Sequence, residues 1–98
     1  MQSIIQDGTT HCYLCGQNPC GDPLDKHHIF GASNRNKSEK YGLFVYIHHN
    51  KCHIFGKKAV HANASVNNAL KAHAQKIAMQ HYNWTVDEFR SIFGKSYI

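Results

Sequence analysis

Nine histidines and four cysteines among 98 residues set the chemical question. Cys12 and Cys15 stand in "CYLC", the spacing by which one chain turn delivers two thiolates to a tetrahedral zinc. A redox pair of that spacing would open a helix after a strand, and the proline-bearing "QNPCGDPLD" that follows does not read as a helix. A second half-site lies in "IHHNKCH". Counting back from Cys52, His49 gives H-x-x-C and His48 gives H-x-x-x-C, and either completes a Cys3His set with Cys12 and Cys15. Buried cysteines are also ordinary core residues, but two half-sites in one short chain favour structural zinc. Cys20 is left over, a free thiol or a substitute for one of the other three.

The second chemical feature is the pair His27–His28 in "LDKHHIF". Imidazole is the commonest nitrogen ligand of divalent metals and can accept a proton near pH 7. Neighbours on a strand point to opposite faces, so for one to hold a metal while the other works on water, the strand must end or distort there. Any single buried histidine is more often a satisfied core group than a ligand. Four of them, His27, His28, His53 and His61, near a zinc-stapled core are harder to attribute to packing. His73 and His81 are expected to be structural or surface residues.

Composition narrows the setting. The length allows one domain with a modest core, of the size that often depends on a metal or on disulfides. The formal charge of +5 and pI of about 9.1 favour an anionic partner, nucleic acid being the commonest. No segment approaches the ~18 apolar residues of a membrane span, and "MQSIIQDGTT" lacks the pattern of a secretory signal. A cytoplasmic location is therefore expected, where cysteines serve metals or catalysis rather than disulfides.

The elements that must position these residues can be read in outline. Residues 1–10 read as a lead-in strand, "KHHIF" as a short strand, "GASNRNKSEKYG" as an exposed loop, and "LFVYI" as the best strand, half-buried at an edge. "HHNKCHIFGKKAVH" should turn into a helix. Residues 63–81 are helical in pattern, with Val66, Leu70, Ile77 and His81 on one side and Ala69, His73, Ala74 and Ala78 filling it. Thr85 and Glu88 form a capping box, and Gly94 ends the last helix.

"CYLC", "KHHIF" and the Cys52–His53 pair resemble an HNH endonuclease. The wider set "SIIQD…CYLCG…HHIFG…R…SEKYGL.V…H…VH.N" is similar to one branch, the small phage and prophage nucleases grouped with the recombination-enhancement, RecA-dependent nuclease. The likeness runs from Ser3 to Ile98. It implies an α+β fold: a zinc-stapled ββα-metal core, treble-clef-like, followed by a long helix and a short terminal helix. The chain would be one domain, with a lead-in strand over 1–10, knuckles and core over 11–62 and a helical tail over 63–98. By position in the motif, His28 matches the family's general base, His27 a ligand of the catalytic metal and His53 the third functional position. His61 rivals His53 as the second metal ligand. Two departures stand out. His48 occupies the place of the usual second-knuckle cysteine, so strand register favours His48 for zinc while spacing favours His49. The family's middle asparagine is not evident either, and Asn34, Asn36 or Glu39 would have to do its work.

The resemblance implies hydrolysis of a DNA phosphodiester, in a bacterial cytoplasm and of phage or prophage origin, with a RecA-type recombinase filament as a further partner. Zinc would be structural, and the catalytic metal Mg²⁺, or Mn²⁺ or Ni²⁺ given imidazole ligands. Lys26, Arg35, Lys37, Lys40, Lys51, Lys57 and Lys58 flank the site in sequence and are candidate phosphate contacts, against the plainer reading of solvated loop charges. Tyr41, Phe44 and Tyr46 are expected in the core rather than stacked on bases. The competing reading is a non-catalytic zinc module that binds DNA or a protein, which would have no need of adjacent histidines.

Overall fold

The computed structural model describes residues 2–7, 10–54, 56 and 59–98 of the chain. Two antiparallel strands, β1 (Leu24–His28) and β2 (Phe44–His48), pair from Leu24↔His48 to His28↔Phe44. Between them run a 3-10 turn (Ala32–Asn34) and a short helix α1 (Arg35–Lys40). A π-helical turn (His49–Ile54) follows β2 directly, and then come α2 (Ala64–Tyr82) and α3 (Val86–Phe93). The chain is thus a small α+β unit, and its radius of gyration, 13.1 Å, is that of one domain of this length. Among the described residues no helix is long and apolar enough to cross a membrane.

Three expectations about the elements are corrected. Residues 2–7 form no strand. The Ser3 hydroxyl accepts the amides of Ile5 and Gln6 and donates to the Phe44 carbonyl at 2.6 Å, so its turn competes with extended pairing. The open edge of β2 is met piecemeal instead: its Tyr46 amide donates to the Gln6 side chain and its Tyr46 carbonyl accepts from Tyr13. That protects an edge without a third strand. The segment read as an exposed loop contains α1, because buried Ser38 ties it inward. Ser38 donates to the Leu43 carbonyl and accepts the Phe30 amide. β2 is closed on both faces rather than half-buried, with Phe44, Val45, Ile47 and His48 all buried.

The turn into β2 needs glycine. Gly42 has φ +74°, and a Cβ there would lie 2.6 Å from the Gln2 carbonyl oxygen.

The helix α2 starts where expected, its Asn63 side chain accepting the Val66 amide. Its buried stripe keeps the expected Leu70, Ala74 and Ala78 and adds Gln75. Leu70, Ala74, Gln75 and Ala78 are buried, while Ala69, His73 and His81 are exposed. Gln75 widens the stripe: wholly buried, it accepts the Tyr97 amide at 2.7 Å and donates to Ser96, which draws the C-terminal segment onto that side. The α3 caps are as read, with the reciprocal Thr85–Glu88 box and Gly94 left-handed at the end.

Phe30 centres the core, with Phe93, Phe89 and Tyr97 ring centroids 4.8 to 5.5 Å away. Asn34 and Lys37 donate to the last carbonyls of α3, at Phe93 and Ile92, which joins α1 to α3 and complements the helix dipole. Phe44 is buried, and Tyr41 packs edge-on against Trp84. Truncating Phe30→Ala should cost about 3–5 kcal/mol in urea unfolding, whereas Val86→Ala, at a 37 % exposed position, should change stability by no more than about 0.5 kcal/mol.

Candidate metal centres

The zinc-type cluster is assembled from two turns. The first holds Cys12 and Cys15 and is closed by Gly16, whose amide donates to the Cys12 carbonyl at 2.8 Å with φ +73°. The second is the end of β2 and its π-helical continuation, which carry His48 and Cys52. A wide turn directly after a strand lets residues four apart face the same point. Asp22 anchors it, its carboxylate accepting the amides of Asn50 and Lys51 at 2.9 Å each. These two amides, above all that of Asn50, hold the Asp22 carboxyl below its usual range.

The donor atoms of Cys12, Cys15, His48 and Cys52 all lie within 4.8 Å of one another. His48 Nδ1 is 3.3 Å from Cys15 Sγ and 3.9 Å from Cys52 Sγ. Its other nitrogen donates to the Asn18 carbonyl at 2.7 Å. That bond places the ring proton on Nε2 and leaves the Nδ1 lone pair facing the thiols, the second contact typical of a metal-bound histidine. The thiols themselves fit a cation. Burial works against ionising Cys12, but the amides of Cys15 and His48 outweigh it and bring its pKa down to about 7. Burial, with negative charge on Cys12 and Cys15, then pushes Cys52 up to about 12. Three thiolates sharing one point need a positive ion among them, and a closed Cys3His set of this kind could hold zinc. Structure therefore selects His48 over His49 for this cluster. Cys20 is exposed and stands apart from it.

The second centre follows from the alternation of β1. Asp25 and His27 face one way, and Lys26 and His28 the other. On the first side, His27 meets His53 of the π-helical turn, with ring centroids 5.0 Å apart, and His61 at 5.5 Å. His61 arrives because the returning chain pairs with the turn: the Val60 amide donates to Cys52 and the His61 amide to His53. His53 Nε2 and His61 Nε2 are 3.0 Å apart. His53 Nδ1 donates to Asp25 Oδ2 at 3.0 Å, which frees Nε2 as a lone-pair donor. His49 donates to the same carboxylate oxygen. Burial opposes charge on Asp25, but the bonds from His53 and His49 outweigh it and keep the carboxyl low.

The Nε2 of His27 is buried and has no hydrogen-bond partner among the described residues. Burial and the facing imidazoles depress its pKa to about 3. A neutral imidazole with an unsatisfied buried nitrogen, aimed among two others, is what a metal ligand looks like before its ion is counted. His27, His53 and His61 together could hold a metal ion. His53 and His61, rivals in the sequence, both contribute.

On the other face, Glu39 of α1 accepts from His28 Nε2 at 2.8 Å and from Lys26 at 2.7 Å. These bonds, Lys26 first and His28 second, bring the Glu39 carboxyl down to about 2. Of the three residues considered for the missing asparagine, Glu39 touches His28, whereas Asn34 caps α3. With Nε2 directed at Glu39, Nδ1 is the ring nitrogen left over for other chemistry. His28 ends β1, so it and His27 border the same cavity despite the alternation.

The basic residues singled out in the sequence are mostly engaged elsewhere. Lys26 lies 4.0 Å over the Phe44 ring, Lys37 holds α3, Lys40 sits 5.3 Å over Tyr41, and Lys51 donates to Gln17. Arg35 opens α1. Lys57 and Lys58 lie outside the described residues. Sequence reasoning missed Asp25, Asn67, Lys71 and Tyr97, which only chain reversal brings to the histidines. His73 is a surface residue as expected, 2.8 Å from the Tyr13 hydroxyl. No family model, no curated protein and no solved structure matches the chain.

Protein purified without added metal should carry about one zinc per chain by elemental analysis, and Cys52→Ser should lose it together with the folded state. Acid sensitivity should trace to His27. Its folded pKa lies below the unfolded value of 6.5, so the unfolded chain gains a proton that the folded one refuses. Without added divalent ion, stability should therefore fall as pH drops from about 6.5 toward about 4, by up to ~1.4 kcal/mol per pH unit. His27→Gln should flatten that slope in urea titrations.

Proposed function

We propose that the protein is a metal-dependent DNA endonuclease of the HNH class, with a ββα-metal core formed by β1, β2 and the turn that leads to α2. The observation that carries the reading is the orphaned, buried Nε2 of His27, set among His53 and His61 and one residue from His28. A non-catalytic zinc module would be satisfied by the Cys3His cluster alone and would not keep an unpaired nitrogen in its interior.

In this reading the Cys3His cluster holds zinc and stays out of the chemistry, since four protein donors leave no open position. His27, His53 and His61 would hold the catalytic cation, for which imidazoles favour Mn²⁺ or Ni²⁺ alongside Mg²⁺. When bound, such a cation polarises the phosphodiester and supports charge on the leaving 3′-oxygen. His28 takes the proton from the attacking water at Nδ1. Glu39 fixes the ring by accepting the Nε2 proton, and stabilises the imidazolium that forms. Lys26 keeps Glu39 ionised, so the orienting carboxylate holds its charge down to pH of about 2. Asp25 does the same work for His53.

Supercoiled plasmid incubated with Mg²⁺, Mn²⁺ or Ni²⁺ should be nicked by the wild type, and His28→Ala should lose at least about 10²-fold in rate, the contribution of a positioned general base. Plasmid left supercoiled in every metal, or nicked equally by His28→Ala, would overturn the reading.

A further inference from the structure

Beside the histidines lies a cavity of about 370 Å³, the size of a small-ligand pocket. His27, His28 and His61 line it together with Asn67, Lys71 and Tyr97. Asn67 and Lys71 are four apart on α2 and so share one helix face. Among the described residues no carboxylate lines the cavity. The acids that flank the histidine pair are engaged elsewhere: Asp22 accepts the amides of Asn50 and Lys51, Asp25 pairs with His49 and His53, and Glu39 with Lys26 and His28.

Lys71 is half-buried, and among the described residues it has no carboxylate in salt-bridge reach. Its ammonium lies 5.3 Å from the centre of the Tyr97 ring, a contact that orients a cation without neutralising it. The charge also bears on the histidines, contributing after burial and the three other imidazoles to the low pKa of His27. The wall at Tyr97 is fixed, because wholly buried Gln75 accepts the Tyr97 amide. A rigid recess that gathers a cation, an amide and imidazoles, with no acid of its own, has the electrostatics of an anion site.

We infer that this cavity is a subsite for a DNA backbone phosphate, with Lys71 as its cation, Asn67 as a neutral donor and Tyr97 as a fixed wall. The inference takes DNA as the polyanion from the proposed function. It adds residues of α2 and the C-terminus, outside the basic run that flanks the histidines in sequence. Phosphate held here would lie beside His28, so Lys71 positions the strand for the base.

The experiment is fluorescence anisotropy of short fluorescein-labelled DNA, single-stranded and duplex, with zinc-loaded protein and no added divalent ion. Each phosphate contact contributes about 0.7–0.9 to the slope of log K against log salt. Lys71→Gln should lower that slope by about this amount, so that between about 50 mM and about 200 mM salt the wild type loses roughly threefold more affinity than the variant. Lys71→Arg should restore the slope, and Lys76→Gln, at an exposed position of α2 outside the cavity, should keep it. An unchanged slope in Lys71→Gln, the same drop in Lys76→Gln, or no salt-dependent binding by the wild type would overturn the assignment. The plasmid assay separates this from the nuclease reading. Binding with the Lys71 slope but no nicking keeps the subsite and removes the nuclease, and nicking with an unchanged slope does the reverse.

Discussion

Cys52 and His53 are joined by one peptide bond, and they serve different centres. Whatever holds the Cys52 sulfur against Cys12, Cys15 and His48 also fixes where His53 begins. The π-helical turn His49–Ile54 transmits that constraint, and Asp22 anchors its start through the amides of Asn50 and Lys51. The same turn then serves as a template for the returning chain, whose Val60 and His61 amides pair with the carbonyls of Cys52 and His53. One staple at the end of β2 therefore sets two of the three nitrogens of the neighbouring cluster. A chain this short buries too little apolar surface to hold such a wide turn by packing alone.

β1 provides the complementary order. Its pleat divides four consecutive residues into two pairs, each organised around one carboxylate. Asp25 collects His49 and His53 beside His27, and Glu39 collects Lys26 and His28. Each carboxylate accepts a hydrogen bond from a nitrogen of every imidazole it holds and leaves that ring's other nitrogen as a lone-pair donor. Tautomers are thus set on both faces by the same device. The strand's end at His28 relaxes the alternation, so both histidines of the pair reach one cavity.

Much of the first centre was legible in the sequence. Cys12 and Cys15 are three apart on a turn closed by glycine, and Cys52 lies within four residues of two histidines, so local spacing marks each half-site by itself. Spacing did not separate His48 from His49. The choice turns on which residue ends β2 facing Cys15, and the Asn18 carbonyl that orients His48 comes from a loop whose path no local pattern predicts. The capping box of α3 was legible for the same reason of locality. The N-terminal strand and the exposed loop were misread because Ser3 and Ser38 act through contacts about 40 and 5 residues away, which propensity does not register. The face of α2 was legible through Leu70, Ala74 and Ala78, but Gln75 was not, because it is polar and its partners lie at the C-terminus.

By itself the sequence determined what depends on neighbours along the chain: the donors of the Cys3His set up to one ambiguity, the adjacent His27 and His28, the helices of the tail and their caps. Tertiary structure alone decided what depends on chain reversal. It chose His48, brought His61 to His53, gave His49 and His53 a shared carboxylate in Asp25, set Glu39 on His28, and brought Lys71 and Tyr97 to the cavity that His27 and His28 line. The reason is one of range. Spacing and capping act over about one helical turn, whereas a cluster drawn from β1, a π-helical turn, α2 and the C-terminus exists only once the core around Phe30 has closed.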